Sequence, residues 1–191
     1  MISKQLLKFL RERYEKHFRS RSILIKETRD ILSASKQAIF AFHRDDMKDG
    51  QRLLKQAEDG LKSINQRFIK EHSYLLYEGS LKAAQEEFIE AKFFSMILTG
   101  KKLDLVKDIE INFESYFGGL CDLTGEIVRK SVNLASLGED KKIFYFKEVI
   151  DEIINELIKF NLIGYLRVKY DQAKNNLIRI EKICYDINLK K

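Results

Sequence analysis

Four carboxylates in two short stretches are the residues best suited to chemistry in this chain. Asp122 and Glu126 lie four apart within Tyr116-Phe117-Gly118-Gly119-Leu120-Cys121-Asp122-Leu123-Thr124-Gly125-Glu126-Ile127-Val128-Arg129. Apolar residues recur there at helical spacing, which predicts a helix. A separation of four puts both acids on one face, roughly 40° apart. Ser115, Gly118, Gly119 and Asn133 share that face. Each glycine inside a helix costs about 1 kcal/mol relative to Ala. A glycine-lined acidic stripe suits close approach of another backbone, a metal or a phosphate. The second stretch is Gln85-Glu86-Glu87-Phe88-Ile89-Glu90-Ala91-Lys92-Phe93-Phe94, where Glu87 and Glu90 are three apart on one helical face. That face continues through Ala91, Phe94 and Leu98, so these acids border an apolar stripe. The plain reading of either pair is a solvated helix face. Two pairs on two helices of one small domain point instead to a carboxylate cluster for a metal ion. Acids drawn together repel and need a countercharge. Oxygen-only ligands favour Mg²⁺ or Mn²⁺ over zinc.

Other chemistry finds little support. The chain has no phosphate-cradling G-x-x-x-x-G-K-[S/T], no G-x-G-x-x-G, no G-x-S-x-G and no zinc-type spacing of Cys and His. His17, His43 and His72 are isolated in sequence and read as surface or packing residues. The absence of Glu-x-x-His weighs against a di-iron bundle, which needs that motif twice. Cys121 and Cys184 form no C-x-x-C pair and read as buried thiols of a reducing compartment. No apolar run reaches the roughly 20 residues that span a bilayer. The start of the chain has no signal-peptide pattern, so the expected location is cytoplasmic, away from membranes.

The elements that must position these acids are helices. The 191 residues suit one domain, 1–191, and 45% of them are hydrophobic. There is no proline to interrupt a helix. The expected fold is all-α, with six or seven helices. The first runs from about Ile2 to Phe42, with Leu6, Leu10, Tyr14, Leu24, Ile31, Ala38 and Phe42 inward and a break near Arg19–Ser22. Asp45 and Asp46 cap a second helix that ends near Glu71–His72. A third covers Leu81–Leu98 and a loop Lys101–Ile111. The glycine-rich helix spans about Asn112 to Leu134, and a fifth Tyr145–Lys159. The last, Tyr165–Leu189, has a seam at Leu166, Tyr170, Ala173, Leu177, Ile180, Cys184 and Ile187. That seam fits bundle packing or a subunit interface.

Net charge is +6 but uneven. Residues 1–44 hold 11 Lys and Arg against 4 acids, and residues 78–140 hold 12 acids against 7 bases. A basic region beside an acidic centre fits a polyanion surface beside a metal site, or ordinary solvated helix faces.

At these residues the chain resembles the family of translin and translin-associated factor X. Asp122-Leu123-Thr124-Gly125-Glu126 resembles the most distinctive motif of the factor X branch. Arg29-Asp30-Ile31-Leu32, Ala38-Ile39-Phe40-Ala41-Phe42-His43-Arg44, Glu86-Glu87-Phe88-Ile89-Glu90-Ala91 and Ile180-Glu181-Lys182-Ile183-Cys184-Tyr185-Asp186-Ile187 resemble other segments, in the same order. The resemblance implies a translin-like helical subunit of a hollow oligomer, an octamer in that family, enclosing nucleic acid. It implies that Glu87, Glu90, Asp122 and Glu126 form a magnesium-dependent endoribonuclease site acting on single-stranded RNA. Translin itself binds single-stranded RNA and DNA but lacks most of these acids. The short connection Lys101–Ile111 suits a self-sufficient homo-oligomer.

On this reading a bound cation polarises a phosphoryl oxygen and lowers the pKa of the attacking group. Glu126 or Glu87 serves as general base. Lys92 and Arg129, near the acids in sequence, hold the scissile phosphate, with surface salt bridges as the plain alternative. Arg19 and Arg21 contact the RNA backbone. Two other readings compete: a non-catalytic single-stranded RNA- and DNA-binding protein, and a helical interaction protein.

Overall fold

The computed structural model describes residues 2–70 and 72–189. Among these there are six α-helices and no strand: α1 (Lys4–His43), α2 (Met47–Ile64), α3 (Gly79–Leu98), α4 (Phe113–Ser136), α5 (Asp140–Leu157) and α6 (Gly164–Leu189). A π-helical turn, Asn65–Ile69, prolongs α2, and a short 3-10 helix, Ser73–Tyr77, leads into α3. The expected end of the second helix reaches Glu71, which lies outside the described residues.

The 40-residue α1 is unbroken through Arg19–Ser22, a stretch without proline to interrupt it. Ser3 caps its start by accepting from the Leu6 N–H at 3.1 Å. Its burial begins only at Leu24 and continues through Ile31, Ala34, Ala38, Ile39, Ala41, Phe42 and His43. The sequence places Leu6, Leu10 and Tyr14 inward, but they are 49%, 52% and 67% exposed. The reason is geometric. At about 1.5 Å per residue, the first turns of α1 run beyond the part that packs on α2 and α3, so their apolar side chains meet no other element.

The core is one apolar cluster drawing on all six helices, with Phe42, Phe88, Phe94, Leu81, Leu123 and Ile127 among its fully buried members. The helix α4 sits centrally and packs on α3, α5 and α6. The α6 seam is taken up inside the chain: Tyr170, Ala173, Ile180 and Cys184 are buried, and α6 packs on α4 and α5. Helix α5 starts at Asp140, five residues before the expected Tyr145, because Ile143 is fully buried beneath it. Cys121 and Cys184 are buried free thiols. Among the described residues no helix is long and apolar enough to cross a membrane.

Candidate metal centre

Close packing of α3 against α4 sets the site. At Gly119 a Cβ would stand 2.7 Å from the Glu86 carbonyl oxygen and 2.7 Å from Ile89 Cγ2. At Gly118 it would collide with the Glu86 carboxylate. The two glycines thus remove side chains where the helices touch, and the helix-propensity penalty is offset by this approach. Their register is held upstream. The buried Gln85 side chain accepts from the Asn112 N–H at 3.1 Å and donates to the Glu110 carbonyl at 2.9 Å. Asn112 caps α4 by accepting from the Glu114 N–H at 2.8 Å. The Ser115 hydroxyl donates to the Lys82 carbonyl at 3.2 Å.

This packing brings Glu87, Glu90, Asp122 and Glu126 into electrostatic contact. Glu90 is 8% exposed. Among the described residues it has no hydrogen-bond donor and no ion-pair partner. Burial, then the charges of Asp122, Glu87 and Glu126, push its carboxyl up to about 9, against a weaker pull from Lys169. The Glu87 carboxyl is also raised, by burial first and by Asp122, Glu126 and Glu86, with Lys36 opposing at 4.0 Å. Asp122 is raised by burial, although it accepts a hydrogen bond from Lys169 that pulls the other way. Glu126 bonds His43 Nε2 and lies 3.6 Å from Arg129.

Three of the four acids are therefore turned toward cationic or donor groups of the chain, and among the described residues Glu90 is the one of the four that is not. As the side chains lie, no three His, Cys, Asp or Glu groups among the described residues stand in ligating geometry. The donor set still fits a hard divalent ion. It is all oxygen, and Glu90 is a buried carboxylate whose charged form a cation would stabilise.

A family model described as Translin family matches residues 19–191. The chain belongs to the Translin family. It is similar to the Translin-associated protein X homolog of Schizosaccharomyces pombe, 29% identical over 93% of this chain and 83% of that protein. It is also similar to an uncharacterized protein of Methanocaldococcus jannaschii, 27% identical over 82% of this chain and 71% of the relative. Among solved structures it is similar to AfC3PO in complex with duplex RNA, with a TM-score of 0.88, 22% identity and 97% of each chain covered. At that identity the likeness is one of fold.

Within this Translin-family fold the remaining sequence candidates take separate places. Arg129 lies at the cluster, its guanidinium 5.0 Å from the Phe40 ring centroid. Lys92 is paired with Glu58 of α2 at 3.0 Å. Arg21 makes two hydrogen bonds to Glu78, at 2.9 and 3.0 Å, pinning α1 to the start of α3. Arg19 is exposed, 3.8 Å from Glu15.

Sequence reasoning missed the groups that surround the acids. His43 is not isolated: it is buried against Glu126 and the Phe94 ring. Buried Lys130 holds the end of α1 in place, donating to the Phe42 and His43 carbonyls at 3.4 and 3.2 Å and pairing with Asp45 at 2.6 Å. Lys169 reaches in from α6 to Asp122 and Glu86. Lys130 had one sequence signal, a lysine one position past Arg129 on an apolar helix. Lys169 had none, because only tertiary packing sets α6 against α4 and brings its ammonium to Asp122 and Glu86.

Proposed function

We propose that this chain is a divalent-cation-dependent endoribonuclease of the factor X type, with Glu87, Glu90, Asp122 and Glu126 as its metal-holding and catalytic acids. The observation that carries this reading is Glu90: a buried carboxylate with no donor among the described residues, interacting with three other acids. Such a group costs stability unless it serves a cation. Mg²⁺ or Mn²⁺ bound there would polarise a phosphoryl oxygen and favour ionisation of the attacking group. Glu87 and Glu126, whose side chains are equally half-buried, both suit the general-base role, taking a proton from the attacking hydroxyl or water. Arg129, beside Glu126 and exposed on its far side, suits contact with a backbone phosphate. The basic first half of α1, with Arg19 and Arg21, extends the positive surface that a polyanion needs.

The proposed substrate is single-stranded RNA, taken into a cavity between subunits of a homo-oligomer, an octamer on the family pattern. The exposed Leu6, Leu10, Tyr14 and Phe18 stripe of α1 supports assembly, since a monomer rarely leaves such a stripe in water. The test is cleavage of one labelled RNA, offered as a single strand and as a duplex, with Mg²⁺, Mn²⁺ or a chelator. Duplex is included because AfC3PO has been solved with duplex RNA. Metal-dependent cutting of the single strand supports the proposal. Salt-sensitive binding of single-stranded RNA and DNA without cutting would establish the alternative, a non-catalytic nucleic-acid-binding protein.

A further inference from the structure

Glu86 is a fifth acid on the same edge of the cluster, and no part of the proposed cation site requires it. Both its carboxylate oxygens accept from the Tyr165 hydroxyl, at 2.6 and 2.7 Å. Its Oε1 lies 2.7 Å from Lys169 Nζ, and the same ammonium bonds Asp122. The Lys169 side chain is only 15% exposed. One cation from α6 thus bridges a carboxylate of α3 and a carboxylate of α4. Gly118 is part of the arrangement, because a Cβ there would collide with the Glu86 carboxylate.

A bridged pair of carboxylates is where a second divalent ion would sit in a two-metal phosphodiesterase site, with its ions about 4 Å apart. Here that bridge is filled by the chain itself. An ammonium supplies a single positive charge and three donors, and it has no ligand position to exchange. Glu90, on α3 with Glu86, has no donor among the described residues. The positive charge is therefore divided: a fixed one at the Glu86–Asp122 edge and a missing one at Glu90.

We propose that Lys169 is a built-in counter-cation occupying the Glu86–Asp122 edge, so that each chain takes up one divalent ion at Glu87, Glu90, Asp122 and Glu126, and not two. This assignment rests on the carboxylate site proposed above. Lys169 acts through Asp122 and Glu86 and is a positioning residue.

The experiment counts Mn²⁺ bound per chain in the full-length assembled protein, from the paramagnetic resonance signal of the free aqueous ion. The parent is expected to bind one. K169M is expected to bind two, with a coupled Mn²⁺ pair in the bound-state spectrum. K169R, which keeps the charge, should stay at one, and E86Q/K169M should return to one. Two ions per parent chain, or a folded K169M that still binds one, would overturn the Lys169 assignment alone. No ion bound by the parent would overturn the carboxylate site and this inference with it. The parent count needs no variant, so it decides even if K169M fails to fold. Where it does fail, K169Q gives the neutral comparison.

Discussion

Replacing Glu90 with Gln should stabilise the cation-free protein, and by an amount that depends on pH. The ordinary carboxyl value is 4.5, and in the fold it is pushed up to about 9. Between those values the folded chain carries one more proton at this position than the unfolded chain. Stability contributed by the group is therefore complete below pH 4.5 and falls as pH rises toward 9, by about 1.4 kcal/mol per pH unit. At pH 7 two and a half units of that fall have accrued, or about 3 kcal/mol. Gln has the shape of the protonated acid and does not ionise, so Glu90→Gln escapes the penalty. Urea unfolding of parent and variant at equal protein concentration, with chelator present, should show little difference at pH 5. The gap should widen in favour of the variant by about 2 to 3 kcal/mol at pH 7. Added Mg²⁺ should reverse the order, because only the parent gains binding free energy. Parallel stability curves for the two proteins from pH 5 to 8 would refute the reasoning, since they would mean that Glu90 ionises in the fold at its ordinary value.

Asp122→Ala and Glu126→Ala should each lower RNA cleavage by about 100-fold or more while RNA affinity measured in chelator holds or rises, as losing a negative charge near a polyanion demands; a parental cleavage rate with intact fold and assembly would sink the site. Gly119→Ala places a methyl 2.7 Å from the Glu86 carbonyl and should destabilise by about 1–3 kcal/mol, read as a lower thermal midpoint together with lost cleavage. Lys130→Met strips the Phe42 and His43 carbonyls of their shared donor. A cost of about 1–3 kcal/mol in urea unfolding is expected, and an unchanged midpoint would show that α1 ends securely without it. Light scattering should return a mass several-fold above the 22.5 kDa chain, whereas a clean monomer at micromolar concentration would leave the apolar stripe of α1 without a purpose.

Much of the positioning frame was legible in residue order. Helical spacing marked α3 and α4, and the acids at three and four apart marked the faces that carry them. The glycines at 118 and 119 signalled a close neighbour, and the Glu86 carbonyl against Gly119 is that neighbour. The Asp46 cap was also readable, its side chain accepting from the Asp49 N–H at 3.0 Å. These are local matters of period, capping and steric bulk, and they act over a few residues.

What residue order left open was which faces the chain would cover and which distant groups would meet. Leu6 and Leu24 carry equal apolar character on one helix, yet one is half exposed and the other is fully buried. The difference lies only in where the neighbouring helices end. His43 and Glu126 stand 83 positions apart, and Lys169 and Asp122 stand 47 apart. Both pairs form because packing brings the end of α1 and the first turns of α6 within side-chain reach of α4. The sequence by itself determined that this protein is a set of helices bearing two pairs of acids. Only the tertiary structure decided that, of these four acids, Glu90 would be the one with no partner among the described residues. Partner choice is set by separation in space, and separation in space is fixed by packing rather than by position along the chain.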